Sequence, residues 1–207
     1  MAKIKIKFKE LLDEKYSLIR DYYKINFYDH NDPAHQIDHA DEVYKNALRY
    51  IDNNNIITDT DVVFFMCYTH DIFAGKNREM HHLLAFEYVR NASDKYLKEL
   101  SDAQLFLISE AVLKHRASST MNTRSLYDTI LRIADKGVPN LNKIIKRSYE
   151  YTRDKVPENQ LENAVKKHIK EKYSRNGYAF NDSMYVNTYQ EELEVFWNEV
   201  DEYLKES

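Results

Sequence analysis

The sequence predicts an all-α fold, and three observations carry that reading. Only 3 Gly and 3 Pro occur in 207 residues, too few for a turn-rich β protein and suited to long, uninterrupted helices. Apolar residues recur at helical spacing through most of the chain. No segment alternates convincingly at period two except the start, MAKIKIKFKE. That stretch reads as a short strand or as a solvated basic arm leading into a helix.

The elements follow in order. Phe8, Leu11, Leu12, Tyr16, Ile19 and Tyr23 form one helical stripe, which DHNDP (29–33) breaks. A second helix begins after Pro33, with His35, His39, Val43, Ala47 and Tyr50 on one side, and stops at NNN (53–55). Thr58 or Asp59 can N-cap the third helix. It contains the apolar run 62–67 and is expected to close at Gly75. A fourth helix is expected over about 79–91, and Ser101 caps a fifth that carries Leu105, Ile108, Val112 and His115 on a shared flank. Leu126, Ile130, Ile133 and Ala134 place a sixth before Gly137 and Pro139. Leu141, Ile144, Ile145 and Ser148 make a seventh. After VP (156–157) an eighth carries Leu161, Val165, Ile169 and Tyr173. SRNGYAFNDS (174–183) reads as a surface connection, with a lid over a substrate as the alternative. Tyr189, Leu193, Phe196, Val200 and Leu204 mark the last helix. There is no internal repeat, and the length suits a single domain over 1–207.

Composition narrows the function classes. Net charge is −4 with 31% charged residues, which gives no overall pull toward nucleic acid or membrane. No apolar run approaches the roughly 18 residues that span a bilayer, and no apolar stretch follows the basic start to make a secretory signal. The one cysteine, Cys67, excludes an intramolecular disulfide and fits a reducing compartment, so the expected location is cytoplasmic. Cys67 itself reads as a small core residue.

The chemistry lies where apolar stretches end on titratable residues. The third helix runs through six apolar residues to Tyr68, Thr69 and then His70 and Asp71. A buried carboxylate is costly unless something positive holds it, and a helix C-terminus favours a cation. His39 shares a stripe with Val43 and Ala47 and therefore points inward. Asp135, in LRIADKG, follows another apolar face to a helix end. His39, His70, Asp71 and Asp135 make two imidazoles and two carboxylates, a set suited to a divalent metal with positions left for water or substrate.

Three local contexts now stand in order: HADEV around His39, FFMCYTHDI around His70-Asp71, and ILRIADK around Asp135. Together they resemble the HD-domain metal-dependent phosphohydrolase superfamily over roughly residues 30–140. The resemblance implies an HD-type helical core over that span, with additional helices over about 141–207. It implies a divalent metal (Mn, Co, Ni, Fe, Zn or Mg) held by His39, His70, Asp71 and Asp135. A metal-activated water, with Asp71, would then hydrolyse a phosphate ester or anhydride of a nucleotide or related small molecule. Binuclear members carry two histidines between the doublet and the last Asp. His81 and His115 resemble those positions, as second-metal ligands bridged by Asp71 or as phosphate contacts, so one ion or two remain open.

The sequence also departs from family subtypes. IFAGKNRE follows the doublet, which disfavours an alarmone hydrolase. Phe73 and Ala74 stand where the 5′-deoxynucleotidase subtype has a catalytic Glu. Among the cations, Lys76, Arg78 and Lys136 adjoin proposed ligands and are the candidates for holding substrate phosphate. Arg116 and Arg124 read as solvated charge, and His82 and His35 as neighbours. The ligand set would equally serve a di-iron HD-type oxygenase, and the missing Glu permits a non-catalytic metal or nucleotide-binding module. A homo-oligomer is compatible with the sequence.

Overall fold

The computed structural model describes residues 14–31, 35–115 and 125–205, so the N-terminal arm, Pro33, Arg116 and Arg124 lie outside the described residues. Those described are helical throughout, with ten α-helices, three short 3₁₀ turns and no strand. The chain divides into two compact units, 1–137 and 138–207.

The first unit holds α1 (Glu14–Asn26), α2 (Ile37–Asn53), α3 (Thr60–Thr69), α4 (His81–Arg90), α5 (Asp102–Lys114) and α6 (Leu126–Lys136). Helix α3 is its centre. It packs against α1, α2, α5 and α6, and every residue from Val62 to Thr69 is buried. A helix enclosed on all sides has no use for a polar face, which explains the unbroken apolar run. Its start is fixed by Asp59, whose side chain accepts from the Val62 N–H. Ser101 and Ser125 each form a full capping box, at the starts of α5 and α6. The third helix ends at Thr69, not at Gly75. His70 caps the helix and Asp71 follows it.

The abundance of tyrosine has a structural reason. Tyr16 stacks on Phe64 and Phe64 on Tyr68, both at 4.4 Å between ring centres. Buried tyrosine hydroxyls reach carboxylates: Tyr68 donates to Asp41 (2.7 Å) and Tyr23 to Asp94 (2.9 Å). A tyrosine fills core volume while its hydroxyl satisfies a buried acid. Asp41 also receives Arg20 bidentately, at 2.8 and 2.6 Å. One carboxylate thus ties α1, α2 and α3 together.

The second unit contains α7 (Leu141–Thr152), α8 (Glu158–Tyr173), α9 (Ser183–Thr188) and α10 (Gln190–Lys205). Helix α8 packs on α7 and α10. The stretch 174–183 is more structured than an open loop. It contains a 3₁₀ turn at Tyr178–Phe180, and the buried Phe180 ring meets Trp197 at 5.2 Å and Phe196 at 6.0 Å. Arg175 adds an ion pair to Glu194 at 2.6 Å. The sequence marks 174–183 as a surface connection but carries no local sign that Phe180 anchors it. Among the described residues no helix is long and apolar enough to cross a membrane.

Removing Asp41 would leave the largely buried Arg20 with the exposed Asp21, at 3.1 Å, as its remaining ion pair. Loss of one partner of such a pair costs about 3 kcal/mol or more. Asp41→Ala is expected to lower stability by that amount in urea unfolding, and a change within about 0.5 kcal/mol, the range of neutral surface substitutions, would show the network to be dispensable.

Candidate metal centre

Six side chains from five helices converge in the first unit. His39 stands in the first turn of α2, His70 caps α3 and is followed by Asp71, His81 opens α4, His115 caps α5, and Asp135 lies in the last turn of α6. Their ligand-type atoms form two groups, each within 4.8 Å: His39, His70 and Asp135, and Asp71, His81 and His115. Asp71 divides its oxygens between them. Oδ2 lies 3.4 Å from His70 Nε2 and 3.7 Å from His39 Nε2. Oδ1 lies 3.1 Å from His81 Nε2 and 3.7 Å from His115 Nε2. Asp135 Oδ1 sits 3.1 Å from His39 Nε2 and 3.7 Å from His70 Nε2.

Local backbone structure orients three of the rings in the same way. Nδ1 of His70 meets the Cys67 carbonyl at 2.8 Å, that of His81 the Arg78 carbonyl at 2.8 Å, and that of His115 the Val112 carbonyl at 2.6 Å. Each is the carbonyl three residues earlier. At the ends of α3 and α5 these carbonyls have lost their helical partners, so an imidazole N–H is a natural substitute. A carbonyl can only accept, so Nδ1 must carry the proton. In the neutral ring Nε2 is then a bare lone pair, directed at the centre.

The consequence is an electrostatic conflict. His81 and His115 point Nε2 at each other across 3.3 Å, and each faces Asp71 Oδ1. Buried His70 Nε2 has no hydrogen-bond partner. Lone pairs cannot face lone pairs without a proton or a cation between them. The residues therefore fit a bound metal: neutral imidazoles, ring protons fixed by carbonyls, and two carboxylates. The C-termini of α3, α5 and α6 all end at the cluster, and their partial negative charge also favours a cation.

Without a cation the histidines must share protons unequally. Burial opposes a charged His70, but Asp71 and Asp135 outweigh it and raise its pKa to about 9. Burial, together with His70, pushes His115 down to about 4. Burial would raise Asp71, yet His70, His81 and His115 hold it well below the usual carboxylate range. Asp135 is held low against its burial by the His39 hydrogen bond and the fields of His70 and His115.

The two groups differ in access. His70, Asp71, His81 and His115 are buried. The side chains of His39 and Asp135 are 24% and 29% exposed, so the cluster opens on their side.

No protein-family model matches the sequence, and no curated protein matches it. The backbone is similar to the crystal structure of a protein from an uncultured Thermotogales bacterium, described as a predicted HD superfamily hydrolase. The TM-score is 0.57 at 20% identity, over 96% of this chain and 99% of that one. The chain has the HD-domain fold. Within this HD-domain fold the structure brings together His39, His70, Asp71, Asp135, His81 and His115. Lys76, Arg78 and Lys136 are exposed on the adjoining turns, and Arg78 meets the cluster through its backbone carbonyl. Phe73, in the region of the subtype Glu, packs edge-on against Phe27 and Tyr88 at 5.7 Å each. His35 lies near His39, with ring centres 6.2 Å apart. Sequence reasoning missed Asn31, which bonds the turn after the doublet. The signal was Gly75, a scarce residue type four positions past Asp71 that marks a close backbone approach.

The carbonyl contacts fix which nitrogen carries the proton. Long-range ¹H–¹⁵N spectra of the metal-free protein are expected to show neutral His115 as the Nδ1–H tautomer. An Nε2–H signal there would contradict the arrangement.

Proposed function

We propose that this protein is a metal-dependent phosphohydrolase acting on a nucleotide or related small phosphate compound, in which His39, His70 and Asp135 would hold one divalent ion and Asp71, His81 and His115 a second. The observation that carries the reading is the division of the Asp71 carboxylate, one oxygen toward His39 and His70 and the other toward His81 and His115. The similar Thermotogales protein, described as a predicted HD superfamily hydrolase, supports the reaction class. A divalent cation, when bound, supplies Lewis acidity that lowers the pKa of water from about 15.7 toward 7 and neutralises phosphate oxygens.

The chain's own residues divide the remaining work. His81 and His115 form a closed side that keeps bulk water out. His39 and Asp135 form the open side, where substrate arrives. Asp71 and Asp135 stay ionised and balance the cation charge. Lys76, Arg78 and Lys136, exposed on the surface, are the cations proposed to meet an anionic substrate, and Arg and Lys suit phosphate as fork and point charge respectively.

The deciding experiment combines metal counting with a substrate panel. Protein loaded with Mn²⁺ or Co²⁺ is expected to hold about two ions per chain and to release phosphate from members of a panel of nucleoside mono-, di- and triphosphates and dinucleotides. His115→Ala is expected to lower the count toward one. Asp71→Ala and His39→Ala are expected to bring hydrolysis to background with helical content retained. Full activity and metal content in both would overturn the ligand assignment. Aerobically retained iron with oxygen uptake, and no phosphate release, would instead favour the di-iron oxygenase. Nucleotide held for hours without product would favour a binding module.

A further inference from the structure

Two asparagines stand behind the two carboxylates in the same way. Asn31, just before α2, donates its side-chain amide to the backbone carbonyl of Asp71 (2.9 Å) and to that of His35 (2.9 Å), and its Oδ1 accepts from the Gly75 N–H at 2.8 Å. Every polar position of that amide group is used. Asn46, on α2, donates to the carbonyl of Ala134 at 3.1 Å, the residue before Asp135. Each asparagine thus holds the backbone of an acid that ends or follows a helix, where carbonyls lack helical partners.

Each also packs on a glycine placed shortly after that acid. A Cβ at Gly75 would lie 2.6 Å from Asn31 Cα and Oδ1, closer than atoms can approach. A Cβ at Gly137 would lie 2.9 Å from Asn46 Nδ2, and Gly137 has φ +54°. Two of the chain's 3 glycines therefore make room for these two amides. Asn31 follows the 3₁₀ turn Tyr28–His30, and Asn46 lies on α2, the helix that carries His39.

We propose that Asn31 and Asn46 are positioning residues that fix the Asp71 and Asp135 carboxylates for metal binding by holding the backbone at Asp71 and at Ala134, the residue before Asp135. Neither amide reaches the convergent nitrogens and oxygens. They act through the acids they hold, as outer partners of metal ligands do, and loss of such partners typically lowers metal affinity about 10–100-fold.

This inference rests on the metal reading proposed above. Its test uses the full chain and Co²⁺ alone, titrated at 25 °C and followed by calorimetry and by the visible absorption of the bound ion, which reports coordination geometry. The variants are Asn31→Ala and Asn46→Ala. The control is Tyr23→Phe, which removes a buried hydrogen bond to Asp94 in the same unit without touching the cluster. Both asparagine variants are expected to bind Co²⁺ about 10-fold or more weakly with an altered spectrum, while Tyr23→Phe keeps wild-type affinity and spectrum. Where an alanine variant does not fold, Asn→Ser replaces it, polar but too short to span the same gap. Wild-type affinity and spectrum in the asparagine variants would overturn the proposal. So would an equal loss in Tyr23→Phe, or a failure of both the alanine and serine variants to fold, since the asparagines would then hold the fold and not the centre. Wild-type protein that takes up no Co²⁺ would sink the metal reading itself, an outcome distinct from the others.

Discussion

Bare imidazole nitrogens facing carboxylates in a buried site are stable only with protons or cations between them. Here the backbone removes any other way out. His70, His81 and His115 have their Nδ1 positions taken by the carbonyls of Cys67, Arg78 and Val112, so none can rotate its proton to the other nitrogen to relieve its neighbours. An uncompensated buried ion costs several kcal/mol; Asp71 is buried and Asp135 half-buried. Positive charge is therefore required at this point whatever supplies it. Protons on the histidines can do so in part, but raising His70 to about 9 and lowering His115 to about 4 shows the rings competing for them. Divalent cations, one at each group of three ligands, would satisfy these lone pairs.

The fold can be understood from that requirement outward. The Asp71 carboxylate is reached only by following α3 to its end, and α3 is buried along its whole length. Surrounding it needs partners on every side, which α1, α2, α5 and α6 provide. A helix end in the core leaves carbonyls without partners, and each buried one left unpaired costs about 1–3 kcal/mol. Side-chain donors supplement the backbone there: His70 takes Cys67, Tyr28 takes Tyr68, and Asn31 joins the Ala74 N–H on Asp71. His70 and Asn31 also shape the cluster or its turn. Terminating the helix and building the site are one operation.

Much of this could be read from the sequence. The all-α class followed from scarce Gly and Pro, and the helices fell at their periodic stripes because each buries one face. Ser101 and the Thr58–Asp59 pair were legible as caps because their side chains act locally. The doublet announced itself as charge at the end of an apolar run. Other features were not legible, because they depend on contacts distant in sequence. Nothing local to Asp41 says that Arg20 and Tyr68 will meet it. Nothing near Asn31 or Asn46 says that they will find the carbonyls of Asp71 and Ala134, though Gly75 and Gly137 hinted at close approach. Gly75 was read as a helix stop, since a glycine required by a neighbour's side chain looks the same in sequence as one required by its own dihedral angles.

The asymmetry of the cluster carries the argument one step further on the proposed reading. An ion beside His81 and His115 would be enclosed by buried imidazoles and one carboxylate oxygen. An ion beside His39, His70 and Asp135 would face the quarter-exposed side. Since both share Asp71, a change in charge at the open position is felt at the closed one through a single carboxylate, over the width of one functional group and in a low-dielectric setting that screens little. The closed position is then suited to hold its ion and set the field, and the open position to exchange ligands and meet an anion. Lys76, Arg78 and Lys136, the cations proposed to meet phosphate, are exposed and lie outside the buried cluster, where a further positive charge would repel the ions. On the proposed reading, cation-binding groups lie inside and candidate anion-binding groups outside, the division that hydrolysis of a phosphate compound would use.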